Sequence, residues 1–120
     1  MQKNHPLYRE CDRLWSKCVK ARANYRCQVG GCGRTATDAH HVISRHCASL
    51  RFDLRNGVAL CRSHHDHSRP LDLIAQHIKV VGQEEVFRLC ILSQKLATYR
   101  RADLVLIRDK LEKEKEKYEI

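Results

Sequence analysis

The residues best suited to chemistry are three histidines and an asparagine in the middle of the chain. His40 and His41 are adjacent, Asn56 follows 15 residues after His41, and His65 follows nine residues after Asn56. An imidazole that is neutral near physiological pH can bind a metal ion or accept a proton from water. The spacing therefore indicates a His-Asn-His array that combines metal binding with proton transfer.

The adjacent histidines favour a division of roles. Consecutive side chains of a strand point to opposite faces, so one metal ion cannot easily bind both His40 and His41. One imidazole would hold an ion, and the other would take a proton from water. His65 follows His64 directly, and on a helix two neighbouring side chains diverge by about 100 degrees. His65 is therefore expected to face a site separate from that of His64.

Two pairs of residues predict a structural zinc site. Cys27 and Cys32 flank a bend with two glycines, and Cys61 lies three residues before His64. Zinc takes four such ligands in a tetrahedron, and short loops aim paired ligands at one centre. The pattern predicts a Cys3His site. In the alternatives, Cys61 is a core residue and His64 a surface residue, or Cys47 replaces His64.

The cysteine count and the start of the chain bear on the compartment. Seven cysteines cannot all pair internally, and the polar first residues show no secretory signal, which predicts a cytoplasmic protein with metal-binding cysteines. No apolar run approaches the roughly 20 residues of a membrane helix, so no membrane anchor is expected. Four cysteines outside the zinc pattern are expected to be small buried residues: Cys11, Cys18, Cys47 and Cys90.

The net charge of +9 lies mainly beside the histidine array. Residues 1–26 contain seven Lys and Arg against two Asp and Glu, residues 27–70 six against three, and residues 71–120 ten against nine. Such a distribution suits DNA, because each neutralised phosphate releases counterions; the alternative is a surface kept basic for solubility. The candidate phosphate contacts are Arg34, Arg45, Arg51 and Arg69.

The hydrophobic pattern predicts helices around a small sheet. Residues 7–22 form an apolar stripe with helical spacing, and the opposite basic face is turned either to DNA or to solvent. A tight knuckle over 24–33 is followed by two short antiparallel strands, within residues 35–45 and 52–60. Further helices are expected from Pro70 to Gly82, from Gln83 with Val86, Leu89, Cys90 and Leu96 facing inward, and from Ala102 to Tyr118.

These elements predict one α+β domain over residues 1–120, without an internal repeat or a long linker. Residues 1–26 form a basic helix, residues 27–70 the zinc knuckle and histidine array, and residues 71–120 a helical region. The last helix ends in alternating Glu and Lys, which is typical of a solvated helix end. The alternative is a helix that forms a homodimer or docks a partner.

Residues 27–70, about a third of the chain, resemble an HNH endonuclease of the ββα-metal (His-Me finger) class. The matching segments are Asp38-Ala39-His40-His41-Val42-Ile43 and Asn56-Gly57-Val58-Ala59-Leu60-Cys61-Arg62-Ser63-His64-His65. The flanking helices are similar to those of small HNH proteins encoded by phages and prophages. The resemblance implies a ββα-metal core with a structural zinc site, flanked by an N-terminal helix and C-terminal helices.

The resemblance also assigns a role to each residue of the array. It implies that His40 and His65 bind a catalytic divalent ion, either Mg2+, Mn2+, Ni2+ or Zn2+. His41 is the general base, and Asn56 either fixes the loop that carries the base or touches the ion. The implied reaction is hydrolysis of double-stranded DNA with weak sequence preference, leaving 5′-phosphate and 3′-hydroxyl ends.

The chain departs from the family pattern at two places. Some members, such as the colicin DNases, have another histidine four residues after the last one, where this chain has Arg69. The ion would then keep more water, and Arg69 would hold the scissile phosphate. The usual second CxxC is here Cys61-x2-His64, which changes one ligand type but still supplies a zinc ligand.

Two other functions share part of this pattern. A zinc-stabilised DNA-binding module would need the cysteines and the basic face, but not His40, His41 and His65 together. A nuclease that works only within a larger phage or defence assembly would use the C-terminal half as its docking surface. Plasmid cleavage separates the first alternative from an enzyme, and a size measurement with partners tests the second.

Overall fold

A computed structural model describes residues 5–119. Residues 1–4, which are part of the polar start of the chain that predicts no secretory signal, lie outside the described residues. The elements are α1 (Pro6–Arg22), β1 (Asp38–His41), β2 (Gly57–Leu60), α2 (Arg62–His67), α3 (Pro70–Val81), α4 (Gln83–Leu92) and α5 (Arg101–Glu116), with 3-10 turns at Ala48–Leu50 and Leu54–Asn56. The predicted α+β class is confirmed.

Helix α1 packs along α5 on one side and against the sheet on the other. It begins where the side chain of His5 accepts the N–H of Leu7 at 3.1 Å, with Pro6 at the first helical position. Its apolar stripe is buried, as predicted: Leu7, Tyr8, Cys11, Leu14, Trp15, Cys18, Val19 and Ala21. This helix therefore forms much of the core beneath the histidine array.

The cysteines outside the zinc pattern divide into buried and accessible residues. The thiols of Cys11 and Cys18 are buried and donate to carbonyl oxygens of α5, each at 3.4 Å. Cys47 is only half-buried, and Cys90 is exposed on α4. The expectation of burial is thus confirmed for Cys11 and Cys18 and wrong for Cys90, because that side of α4 has no element packed on it among the described residues.

The two strands form an antiparallel pair in which His40 lies opposite Val58 and His41 opposite Gly57. All four residues of β2 are buried, whereas those of β1 are half-buried. A Cβ atom on Gly57 would lie 2.4 Å from Cγ2 of Val19, so α1 approaches the backbone of β2 directly. The strands are shorter than expected, because 3-10 turns and an irregular loop occupy the rest of residues 42–56.

The helices after the sheet differ in how much they bury. Within the described part of the chain α2 has no buried residue, and α3 buries Leu73 and His77. Helix α4 ends at Leu92, so Leu96 lies beyond it and is fully exposed, contrary to the expected inward position. None of the helices in residues 5–119 is long and apolar enough to cross a membrane.

Candidate metal centre and histidine cluster

The four residues of the predicted zinc site converge on one point. The sulfur atoms of Cys27, Cys32 and Cys61 and a ring nitrogen of His64 lie within 4.8 Å of one another. Nδ1 of His64 is 3.3 Å from the sulfur of Cys61 and 3.5 Å from that of Cys27. The sulfur atoms of Cys32 and Cys61 are 3.8 Å apart.

These distances fit the edges of a zinc tetrahedron. With Zn–S near 2.3 Å and Zn–N near 2.0 to 2.1 Å, a regular tetrahedron has S···S edges of about 3.8 Å and S···N edges of about 3.6 Å. The separations of 3.3, 3.5 and 3.8 Å match those edges to within a few tenths of an ångström. The cluster could therefore hold a metal ion such as zinc, with His64 binding through Nδ1.

Local structure explains why the two halves of the cluster meet. Residues Arg26 and Thr35 form an isolated antiparallel bridge, and Cys27 donates its N–H to the carbonyl of Arg34 at 2.8 Å, which closes the knuckle. Gly31 within the knuckle has φ of +79°, a conformation that favours glycine. The loop thus returns on itself so that both of its cysteines face the same side.

The second half of the cluster is the start of α2. Cys61 is the N-cap residue, and its sulfur accepts the backbone N–H of His64 at 3.5 Å. That N–H lowers the pKa of Cys61 to about 6, whereas burial raises the pKa of Cys27. A thiolate is the form that binds metal, so the helix start favours the state of Cys61 that a metal needs. Cys47 lies elsewhere, against Ser49 and Ser93.

His40 and His65 face each other beside this centre. Their ring centroids are 5.8 Å apart with an interplanar angle of 77°. Nδ1 of His65 is 3.1 Å from a carboxylate oxygen of Asp66 and donates to it, which leaves Nε2 as a free acceptor. Such a carboxylate partner is common behind metal-binding histidines. Burial, and then the neighbouring imidazole of His65, lower the pKa of His40, so its metal-binding neutral form is favoured.

The pair offers two protein ligands. Among residues 5–119 the Cys3His cluster is the one group of three or more His, Cys, Asp or Glu side chains that converges on a point. The carboxylate of Asp38, which precedes the array, lies 3.4 Å from the guanidinium of Arg62 and accepts the hydroxyl of Thr37. An ion on His40 and His65 would therefore complete its coordination with water or with substrate oxygen atoms.

His41 is held by two contacts that fix its orientation and its tautomer. Its ring is stacked on Trp15, with centroids 3.8 Å apart and an interplanar angle of 7°. Its Nε2 lies 2.9 Å from the carbonyl oxygen of Arg51. A carbonyl can only accept, so Nε2 carries a proton, and in the neutral ring Nδ1 is then unprotonated. Burial lowers the pKa of His41, which keeps the imidazole neutral near physiological pH.

The three histidines border one cleft of about 680 Å³. Ser44 and Arg45 line it on the side of the loop after β1, while Pro70 and Leu73 line it on the side of α3. Its lining therefore joins imidazoles, a cationic side chain and an apolar wall. The neighbouring Cys3His cluster does not line this cleft, so the two sites are separate although His64 and His65 are adjacent.

Asn56 is buried and ties the loop after β1 to the start of β2. Its Oδ1 accepts the N–H of Ile43 at 2.8 Å, and its Nδ2 donates to the carbonyl of Ile43 at 2.9 Å. Nδ2 also approaches the carbonyl of Leu50 at 3.3 Å. Its amide is thus fully used in holding the loop that follows His41, and Asn56 does not line the cleft.

The backbone on both sides of Asn56 is held in the same way. The guanidinium of Arg22 donates to the carbonyls of Leu54 and Gly57, each at 3.0 Å. Nε2 of His77, a fully buried residue of α3, donates to the carbonyl of Arg55. Helices α1 and α3 therefore fix the carbonyl groups that flank Asn56.

Three of the four candidate phosphate contacts are accessible, but they differ in position. Arg45 is exposed at the edge of the cleft, and Arg34 is exposed on the knuckle. Arg69 is exposed as well, but it pairs with Asp72 at 2.9 Å and does not line the cleft. Arg45 is consequently the one of these three that lines the same cleft as the histidines.

Arg51 is a correction to the expected set. Its guanidinium is buried and donates to both carboxylate oxygens of Asp12, at 2.9 and 2.7 Å. It also lies 4.9 Å from the ring centroid of Tyr8. A guanidinium fixed between a carboxylate and an aromatic ring is not available to DNA, so Arg51 is not a surface contact.

Three residues that shape the site are not predicted by the sequence pattern: Trp15, Arg22 and His77. Trp15 was placed correctly in the buried stripe of α1, but nothing in its spacing indicates stacking on His41. Arg22 lies at the end of a helix with a basic face, and nothing in the sequence distinguishes it from the exposed basic residues of that face. His77 is buried together with Leu73, four residues before it, whereas the stripe expected to be the apolar face of α3 is exposed: Leu71, Ile74, Ala75 and Ile78. The expected stripe therefore gave no signal for the burial of His77.

Comparison of the chain with protein-family models, with curated proteins and with solved structures gives no match.

Proposed function

We propose that this chain is an HNH endonuclease with a ββα-metal core, formed by β1, β2 and α2, that hydrolyses phosphodiester bonds of DNA. The observation that carries the proposal is the hydrogen bond of His41, whose Nε2–H donates to the carbonyl oxygen of Arg51. In the neutral ring this leaves Nδ1 to accept a proton. Next to it, a facing pair of histidines offers two metal ligands.

The residues present fit a catalytic divalent ion. His40 and His65 would hold it, and the carboxylate of Asp66 would orient the ring of His65. When bound, the ion would supply stabilisation of the negative charge on the phosphate and on the leaving oxygen. The Cys3His cluster would hold structural zinc and thereby fix the start of α2, which carries His65.

The chain's own groups account for the proton transfer. Nδ1 of His41 takes a proton from a water molecule, whose oxygen forms the new bond to phosphorus while the bond to the 3′ oxygen breaks. Nε2 keeps its hydrogen bond to the carbonyl of Arg51 throughout, so the imidazolium that forms is stabilised without a change in ring orientation. The 3′ oxygen gains a proton from solvent, which leaves 5′-phosphate and 3′-hydroxyl ends.

Double-stranded DNA is the proposed substrate because the net positive charge lies mainly in residues 1–70, which contain the three histidines, and because Arg45 lines the cleft. Arg45 lines the cleft and Arg34 is exposed nearby in sequence, and both would contact phosphate groups, which carry no sequence information. Arg69 would reach a phosphate only by leaving Asp72. Weak sequence preference follows, and cytoplasmic location in a bacterial or phage-infected cell remains part of the same proposal.

Plasmid cleavage tests the proposal. Purified protein should nick or linearise supercoiled plasmid with at least one of Mg2+, Mn2+, Ni2+ or Zn2+. His41→Ala should lower the rate by roughly a hundred- to ten-thousand-fold, as expected for a lost general base, while calorimetry finds the divalent ion still bound. His40→Ala and His65→Ala should weaken the binding of that ion as well, because each removes a ligand.

His67→Ala is the matched control, since His67 is an exposed histidine of the same α2 helix and lies outside the cleft. It should cleave like the wild type. Tight DNA binding without any cleavage by the wild type would favour the zinc-stabilised binding module. Cleavage that appears only after a partner is added would favour the assembly subunit.

A further inference from the structure

Helix α1, outside the motif segments, makes one contact of the His41 ring directly and holds the side chain of the residue that makes the other. Trp15 stacks on the ring, and the carbonyl that accepts Nε2–H belongs to Arg51, whose side chain is held by Asp12. Asp12 and Trp15 are three residues apart and therefore lie on one face of α1. From one face of α1, Trp15 and Asp12 therefore both act on the position of the His41 ring.

The indole of Trp15 is itself fixed. It is 2% exposed, and its Nε1–H donates to the carbonyl of Asp53 at 2.9 Å. The indole can therefore not turn away from His41 without leaving a buried donor unpaired, which is costly. The stack thus constrains one face of the imidazole ring.

The carbonyl of Arg51 is fixed through its own side chain. Two charge-assisted hydrogen bonds join the guanidinium to Asp12, and the side chain of Arg51 is 7% exposed. The guanidinium also lies near the rings of Tyr8 and Phe52. A bidentate pair of this kind restrains both the position and the angle of the residue that carries the carbonyl.

We propose that Trp15 and the Asp12–Arg51 pair are positioning residues for the general base, Trp15 by supporting the ring of His41 and Asp12–Arg51 by holding the carbonyl that selects its Nε2–H tautomer. This inference rests on the proposed function, and it extends the catalytic apparatus from the motif to the N-terminal helix. A residue held for packing alone would affect folding but would not select a tautomer.

The experiment compares Trp15→Leu, Trp15→Phe and Asp12→Asn with Leu14→Val. Leu14 is fully buried on α1, so its variant removes core packing while Trp15, Asp12 and Arg51 remain. Each protein is measured for kcat and KM of plasmid cleavage, for melting temperature, and for the His41 tautomer by nitrogen-15 NMR. Asp12→Asn is nearly isosteric and keeps the helix surface, so it supplies a folded variant if Trp15→Leu unfolds.

Trp15→Leu and Asp12→Asn should lower kcat by up to about a hundred-fold, the loss typical of a small misplacement, with KM nearly unchanged. In Asp12→Asn the nitrogen-15 shifts should move from the Nε2–H tautomer toward a mixture. Trp15→Phe, which restores a stacking ring, should recover part of the loss in kcat. Leu14→Val should keep kcat and the tautomer even where its melting temperature falls.

The outcomes separate the two proposals. If the wild type cleaves and Asp12→Asn retains both its kcat and the Nε2–H tautomer, the positioning role is overturned and the nuclease stands. If kcat falls only in proportion to melting temperature, Leu14→Val included, the role is packing and the inference is likewise overturned. If the wild type cleaves no plasmid under any metal, the proposed function itself fails, and the catalytic sense of the inference fails with it.

Discussion

The sulfur atom of Cys27 is one of the four ligand atoms of the Cys3His cluster, and its replacement by oxygen tests whether the cluster holds structural zinc. The sulfur lies 3.5 Å from Nδ1 of His64 and is buried, so Cys27→Ser replaces a soft ligand by a hard one with little change in size. We expect the variant to lose tightly bound zinc and to melt at a lower temperature, because metal binding free energy is also folding free energy. Elemental analysis and a thermal melt measure both effects.

Cys47→Ser is the matched control, since Cys47 is half-buried and lies outside the cluster. It should keep the zinc content and nearly the same melting temperature. Wild-type protein without stoichiometric metal, or a Cys27→Ser protein that melts like the wild type, would contradict a structural metal site.

At the residue scale, the sequence was informative wherever the relevant spacing was short. Cys61 and His64 are three residues apart, so their convergence follows from a single helix start, and the structure confirms it. Trp15 and His41 are 26 positions apart, and only the packing of α1 on the sheet brings them together. The predicted burial of Cys90 was wrong, because free cysteines are usually buried but the exposure of a given side chain depends on which elements pack around it.

At the scale of elements, the close approach of α1 to β2 depends on one missing side chain. A Cβ on Gly57 would lie 2.4 Å from Cγ2 of Val19 and 2.9 Å from Cζ2 of Trp15. Gly57→Ala should therefore destabilise the protein by about 1 to 3 kcal/mol, the usual cost of overpacking. This exceeds the gain of about 0.4 to 1 kcal/mol from a less flexible unfolded chain. Urea denaturation measures the free energy of unfolding.

Gly30→Ala serves as the control, because a Cβ there meets nothing within 4 Å. Its φ is also not in the positive range that disfavours alanine. The Gly30 variant should match the wild type or be slightly more stable. Equal stability of Gly57→Ala and Gly30→Ala would mean that α1 can move away from the sheet at no cost.

The elements themselves were predicted better than their ends. Helices were expected over 7–22 and 102–118, and the structure has Pro6–Arg22 and Arg101–Glu116, because each has a long apolar stripe. The strands were expected within residues 35–45 and 52–60, but each has only four residues. β-Branched residues near the loop favour strands without specifying a pairing partner. The continuation of α4 to Leu96 was wrong, because the amphipathic pattern does not show where tertiary contacts stop.

At the scale of the whole molecule, buried histidines make stability depend on pH. Burial lowers the pKa values of His40, His41 and His77 below their ordinary value of 6.5. Below pH 6.5 the unfolded chain takes up protons that the folded chain refuses, so stability is complete above that pH and is lost as the pH falls toward the folded values. Each such group contributes at most about 1.4 kcal/mol per pH unit within that window.

His77 is suited to test the effect because it is fully buried and does not line the cleft. The guanidinium of Arg22 further disfavours its charged form. His77→Gln should therefore reduce the loss of unfolding free energy between pH 7.5 and 5.5, measured by urea denaturation at each pH. His67→Gln, at an exposed site, should leave that loss unchanged. A wild-type slope retained in His77→Gln would contradict this expectation, because it would mean that folding does not lower the pKa of His77.

Helix α2 has only six residues and buries none of them, and so short a helix is unstable on its own. The start of α2 is tied to the Cys3His cluster through its N-cap residue Cys61 and through His64. His65, in the same turn, faces His40. Ions at the two centres would then be thermodynamically coupled, each raising the affinity for the other by the same factor. The zinc content of a preparation would thus set the apparent Mg2+ or Mn2+ requirement measured in it.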